Sequence, residues 1–256
     1  MQENLEFTDL LRLIAERSTA FRDAVASAPS LDVPVPTCPG WTLFDLVRHL
    51  GEGRRAWAAT VAAGPTASAK SAPAGPAAPR EREALLAWWA ESAQQLVDAL
   101  REAGPDRGCW VGWCDSQSPR TCGAVARHQV QEIAVHTYDA QVALGAPQPL
   151  PEEVALDGVE EFQFTCCATT SAWPHEPAVV DYHAVEGRSW RLWLSGDGAR
   201  TARLSAADED LGPASVSARG TASELVLVFY GRIPLDSLKL DGDLTIFDQL
   251  IAWEPE

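Results

Sequence analysis

Three side chains in this sequence have the types and spacing that suit metal chemistry. Glu132 and His136, in Gln131-Glu132-Ile133-Ala134-Val135-His136-Thr137-Tyr138-Asp139, stand four residues apart. On a helix that spacing puts both on one face, one turn apart. His49 closes the segment Cys38-Pro39-Gly40-Trp41-Thr42-Leu43-Phe44-Asp45-Leu46-Val47-Arg48-His49. It falls on the apolar side of a different expected helix and should project into a bundle. Two imidazoles and one carboxylate converging from two helices are the ligand set of a catalytic zinc site, with a fourth position left for water or substrate.

Each half of this set also has a plainer reading. A histidine on an apolar helix face is commonly a hydrogen-bonded core residue. A Glu/His pair at i, i+4 is commonly a surface pair worth about 0.2–0.5 kcal/mol. The stripe continues to Asp139, however, among Ile133, Val135 and Val142. A carboxylate in such surroundings is costly without a positive partner. A divalent cation would supply one, and Asp139 could orient a ligating imidazole. His128, one turn before Glu132 and next to Arg127, is expected at a pocket rim or on the surface. His175 and His183 lack ligand spacing. Cys109 and Cys114 are five apart, an unusual interval for zinc.

The elements that must position these groups can be read from periodicity and punctuation. Leu5 to Ala26 is an amphipathic helix. After a proline-containing turn, Thr42 and Asp45 form a capping-box-like start, with Asp where Glu is usual. The helix that follows carries Leu46, Val47, Leu50, Trp57 and Val61. Trp41 should lie beside His49. Residues 62–79 contain only Ala, Gly, Pro, Ser and Thr besides Lys70, which reads as a flexible loop. A third helix covers Glu81 to Glu102. A fourth, Thr121 to Leu144, carries the Glu/His pair and stops at Gly145 before Pro147. Beyond Pro151 the pattern changes: Ala178 to Val185 and Ser189 to Leu194 alternate as strands. Glu224 to Tyr230 fits helix or strand equally. Leu238 to Asp243 reads as strand into turn, before a short helix ending at Trp253. The expected architecture is α+β: a four-helix bundle over residues 1–150, then a smaller α+β domain over 151–256.

Charge narrows the function classes. Twenty basic and 36 acidic residues give a formal net charge of −16. Such a field repels nucleic acid and anionic lipid, so neither is an expected partner. No run approaches the roughly 20 apolar residues of a membrane helix. The acidic start, Met1 to Glu6, lacks signal-peptide features. The protein is expected to be cytoplasmic and monomeric, with its six cysteines as free thiols.

Three segments together, Thr37 to His49, Arg127 to Ala140 and Gly231-Arg232-Ile233-Pro234-Leu235-Asp236 with Asp241-Gly242-Asp243, resemble the mycothiol-dependent maleylpyruvate isomerase family, over nearly the whole chain. The resemblance implies an actinobacterial protein with a DinB-like four-helix bundle, a smaller C-terminal domain, and zinc held by His49, Glu132 and His136. It also implies a catalytic role for an arginine of the C-terminal domain, placed at Arg232. A plain Gly-Arg turn contacting a carboxylate is the other reading of that residue. Many members of the family have a histidine before the glutamate, where this chain has Gln131. The function expected is a zinc-dependent thiol enzyme that uses mycothiol on a small electrophile, as isomerase cofactor or as transferred nucleophile. A zinc hydrolase and a non-catalytic metal- or ligand-binding module remain as alternatives.

Overall fold

The four amphipathic segments fold as helices α1 (Phe7–Ser27), α2 (Leu43–Ala63), α3 (Arg82–Ala103) and α4 (Cys122–Ala143) in the computed structural model, which describes residues 5–67, 70–71, 75–113, 115–205 and 211–254. The start of α2 is fixed by the expected box: Asp45 N–H donates to Thr42 Oγ1 at 3.3 Å and Thr42 N–H donates to Asp45 Oδ2 at 3.0 Å. The turn before it bonds Trp41 N–H to the Cys38 carbonyl at 3.0 Å, with Gly40 at φ 82°. Proline followed by a residue at positive φ suits a type II turn, whose third position favours glycine. The described part of residues 62–79 is less loop-like than expected, residues 68–69 and 72–74 lying outside the described residues. Helix α2 runs on to Ala63, a single 3-10 turn covers Gly64–Thr66, and Ser71 N–H donates to Thr60 Oγ1 at 2.9 Å.

Helix α1 packs on α3 and α4, and α2 packs on α3 and α4. Phe21, Leu46, Val47, Leu50, Leu85, Trp89 and Ile133 are buried between them. Each such side chain contributes about 1.5–3 kcal/mol on leaving water. Helix α4 also buries Gln129, Gln131, His136, Thr137 and Asp139, and α2 buries Arg54, Arg55 and Thr60. Buried polar groups need partners, and that demand shapes the site.

Among the described residues the chain divides into two compact units. One comprises residues 1–112 and 120–150, the other residues 113–119 and 151–256. The short excursion joins the second unit through Gln117, whose Oε1 accepts from Thr201 N–H at 2.7 Å and whose Nε2 donates to the Thr201 carbonyl at 3.0 Å.

The second unit begins with α5 (Glu152–Phe162) and a π-helical turn (Gln163–Cys167). It continues with β1 (Ala178–Ala184), β2 (Ser189–Ser195), β3 (Gly198–Arg203), β4 (Val216–Gly220), α6 (Ala222–Phe229), β5 (Lys239–Gly242) and α7 (Thr245–Ala252). The sheet order is β3-β2-β1-β4-β5, with β1 and β4 parallel and the other neighbours antiparallel. Asp181 and Arg191 are paired across β1 and β2. Their side chains form a buried two-point contact at 2.7 Å on each arm. The ambiguous run from Glu224 is helical because Thr221 and Glu224 make a second capping box. That Thr-x-x-Glu pattern was present in the sequence. Helix α5 and strands β3 and β4 had not been expected. Among the described residues no helix is long and apolar enough to cross a membrane.

Helix α2 contains two glycines whose surroundings differ sharply. A Cβ on Gly51 would lie 2.0 Å from the Trp88 ring, whereas one on Gly53 meets nothing within 4 Å. Glycine to alanine inside a helix ordinarily gains about 0.8–1 kcal/mol. We expect Gly53→Ala to raise unfolding free energy by about that amount. Gly51→Ala should instead lower it by about 1–3 kcal/mol, because overpacking wins. Urea denaturation of both variants checks the contrast, and equal effects would contradict this α2/α3 contact.

Candidate metal centre

The seam between α2 and α4 brings the three singled-out side chains together. Glu132 Oε1 lies 3.3 Å from His49 Nε2 and 3.7 Å from His136 Nε2. The two imidazole rings are 5.4 Å apart at 76°. One ligand atom from each residue falls within 4.8 Å of the others. Ligand bonds of about 2.0–2.1 Å in a tetrahedron place their atoms roughly 3.3–3.4 Å apart. The donor set, with two spacings of 3.3 and 3.7 Å, is therefore one that could hold a divalent ion such as zinc.

His49 sits differently from the expectation. Its side chain is 44% exposed, so it stands at the mouth of the site and does not project into the core. Its angular place on α2 explains this: Leu46 and Leu50 both lie to one side of it around the helix and take the buried face. Trp41 lies against it as expected, with ring centroids 4.8 Å apart.

Asp139 gives His136 its orientation. The carboxylate is fully buried, and His136 Nδ1 lies 2.7 Å from its Oδ2. An ionised carboxylate only accepts, so the Nδ1 proton is held by Asp139 and Nε2 is the nitrogen that faces Glu132. The thiol of Cys38 donates to the same Oδ2 at 3.4 Å. Cys38, His136 and Asp139 also lie close enough to form a second possible ligand group. That group would use the other nitrogen of His136 and a buried carboxylate, so it is better read as support for the first. Cys38 had been noted only as part of its turn. The Cys-Pro-Gly turn that aims it at Asp139 is a tertiary arrangement.

Electrostatics keep Glu132 ready to bind a cation. Burial alone raises its pKa, but the hydrogen bond with His49 and the charges of His136, His128 and His49 outweigh this and hold it at about 2. It is ionised at neutral pH. Arg54, one turn and a half along α2 from His49, is 2% exposed. It donates Nη1 to Ser18 Oγ at 2.9 Å and lies 4.2 Å from the Trp89 ring centroid. Burial lowers its pKa to about 9, against the opposing pull of Glu132, so its charge persists at neutral pH. Lys70 feels Glu132 in the same way, its pKa lowered by burial and partly restored by that carboxylate. Neither cation had been singled out from the sequence. Lys70 could have been, as the one charge in residues 62–79.

The other candidates fall elsewhere. His128 packs beside Trp57, ring centroids 6.4 Å apart, on the stripe that leads to Glu132. His175 lies against Trp173 and His183 Nδ1 meets Ser189 Oγ at 2.8 Å. Cys109 is buried beside Cys122, and burial with that neighbour pushes its thiol up to about 12. Cys114 lies outside the described residues. Gln131 is fully buried, within the bundle interior. Arg232 belongs to the second unit, on the turn after α6, where its Nη1 donates to the Tyr230 carbonyl at 2.7 Å. It borders a cavity of about 690 Å³ with Phe162, Tyr182, Phe229 and Trp253.

Comparison with known proteins gives this geometry a context. The family model described as the mycothiol maleylpyruvate isomerase N-terminal domain matches residues 11–141, and the MDMPI C-terminal domain model matches residues 153–249. Two solved structures, a mycothiol-dependent maleylpyruvate isomerase and a histidine-to-alanine mutant of it, each align with a TM-score of 0.60. Identity is 15% over 94% of this chain and 96% of theirs. At that identity the likeness is one of fold. A search of the curated proteins found no match.

If the triad binds metal, gently purified protein should contain about one zinc per chain, and His49→Ala or His136→Ala should lose most of it. Asp139→Asn should weaken zinc affinity by about 10–100-fold while leaving the three ligands in place. Cys109→Ser should retain the metal. Elemental analysis and chelator competition decide the matter. Full retention in both histidine variants would show that the ion, if any, binds elsewhere.

Proposed function

Because this chain belongs to the mycothiol maleylpyruvate isomerase family, we propose that it is a zinc-dependent thiol enzyme acting on a small electrophile, with mycothiol as cofactor or as transferred nucleophile. The observation that carries the reading is the triad itself. Two imidazoles and an ionised carboxylate share one point, and the His49 and Glu132 side chains are 44% and 30% exposed, so a small molecule can reach it.

A bound zinc ion would supply a Lewis acid able to keep a coordinated thiol deprotonated near neutral pH. The chain's own residues do the positioning. Asp139 holds His136 in the tautomer that offers Nε2. Glu132 brings a negative charge that needs no deprotonation at working pH. His49 completes the set from the mouth, braced by Trp41. Cys38 is turned toward Asp139, and burial pushes the thiol of Cys109 up to about 12. A thiol supplied from outside therefore suits the site better than an internal one.

Cis–trans isomerisation and S-transfer both fit this arrangement. They differ in whether the thiol is returned or leaves on the product. In the same proposal Arg232 holds a substrate carboxylate, the role for which a guanidinium's paired donors are suited.

With zinc-loaded protein and an activated alkene, consumption of the electrophile should require mycothiol and should be lost in His136→Ala. Arg232→Gln should raise KM about tenfold or more with metal content unchanged. Mass spectrometry of the products distinguishes a returned thiol from a conjugate. Equal rates with and without thiol would overturn the proposal in favour of a hydrolase. Absence of thiol binding by calorimetry would overturn it in favour of a binding module.

A further inference from the structure

The geometry points to an anion subsite beside the triad, in which the exposed Lys70, with Trp57 and His128, holds a carboxylate of the ligand. This inference rests on the triad being the reaction site and assigns the substrate a negative charge recognised from the bundle.

Lys70 is placed, not trailing. Its neighbour Ser71 is tied to α2 by the 2.9 Å bond to Thr60 Oγ1. The Lys70 ammonium lies 5.0 Å from the centroid of the Trp57 ring, which is buried to 6% exposure. Among the described residues that ammonium has no hydrogen bond and no ion pair. In a chain with 36 acidic residues, a lysine standing over an indole without a carboxylate of its own is notable. An ammonium has three donors to satisfy, and an aromatic face satisfies charge but not direction.

The same wall leads to the triad. Trp57 packs against His128. On α4, His128 precedes Glu132 by one helical turn, as Glu132 precedes His136. On α2, His49, Gly53 and Trp57 follow one another at four-residue steps, along one side of the helix. Gly53 leaves open space at the middle step, since a Cβ there would meet nothing within 4 Å. Lys70 and Arg54 both feel the charge of Glu132. The groups therefore form one electrostatic neighbourhood.

Formal charge then sets the ligand class. A divalent ion on one carboxylate and two neutral imidazoles keeps one positive charge; Arg54 and Lys70 add two, and the Asp139 carboxylate behind His136 removes one. Binding one thiolate leaves this neighbourhood cationic. A carboxylate on the electrophile would neutralise it further, and Lys70 is the cation placed where a ligand can reach it, because the Arg54 side chain is buried under Trp89. The local field would also draw an anion inward against the repulsion of the acidic surface.

The test uses the zinc-loaded full chain, with succinate as the probe and succinamide as its uncharged counterpart. Calorimetry or ligand-observed NMR gives each affinity. Lys70→Gln should weaken succinate binding about tenfold or more, Lys70→Arg should keep it within about threefold, and neither change should alter succinamide binding. Zinc content and mycothiol binding should stay at the wild-type level in both variants. Succinate bound equally by wild type and Lys70→Gln, or not bound by wild type, would overturn the subsite. Loss of zinc or thiol binding in the wild type would instead overturn the proposed function, and that result is read separately from the Lys70 comparison.

Discussion

The carboxylate of Glu132 is the group on which the first unit is organised. A carboxylate at a helix seam is expensive unless positive or proton-donating groups meet it. Here the answer is distributed over both helices: His49 from α2 and His136 and His128 from α4 outweigh the cost of burial. Asp139 and Cys38 then hold His136 in one orientation from behind. The arrangement keeps an ionised ligand in place before any cation arrives. That is why a group of side chains able to hold a divalent ion and a stable interior can occupy the same seam.

Packing against α3 sets the height of α2. Gly51 lets α2 approach the Trp88 ring more closely than any side chain would allow, and Trp88 Nε1 is fixed by donating to the Pro76 carbonyl at 2.9 Å. The capping box at Thr42 fixes where α2 begins. Seven residues later the helix delivers His49 opposite Glu132. A slide of one residue along the seam would move each imidazole by about 1.5 Å, enough to spoil a ligand set whose atoms must meet within a few tenths of an ångström.

Charge in this protein is uneven in a useful way. The whole chain is strongly acidic, yet Arg54, Lys70, His49, His128 and His136 collect around one carboxylate. The second unit solves its own buried charges by direct pairing. Arg191 meets Asp181 at two points, while Glu160 accepts from Arg203 at 2.8 Å and from the Trp190 indole at 3.3 Å. Those groups are closed on one another, so they shape the fold and have no capacity left for a ligand. In the first unit, by contrast, Arg54 and Lys70 face aromatic rings, Trp89 at 4.2 Å and Trp57 at 5.0 Å.

Local signals in the sequence determined a good deal. Spacing put Glu132 and His136 on one helical face, and Thr42 with Asp45 marked the start of α2, because both depend on contacts within one or two turns of a single helix. The two strands from Ala178 and Ser189 were legible from alternation. The Thr221/Glu224 box could have settled α6, but an apolar run of that length carries no period of its own. Strands β3 and β4 were hidden because their side chains alternate imperfectly and their pairing is decided by the sheet. Tertiary structure alone decided that His49 stands at the mouth of the site, that Cys38 reaches Asp139 across 101 positions of sequence, and that Lys70 lies over Trp57. Each of these depends on how helices cross and where a turn returns the chain. No local period encodes that, because the energy that fixes it comes from side chains distant in sequence and adjacent only after packing.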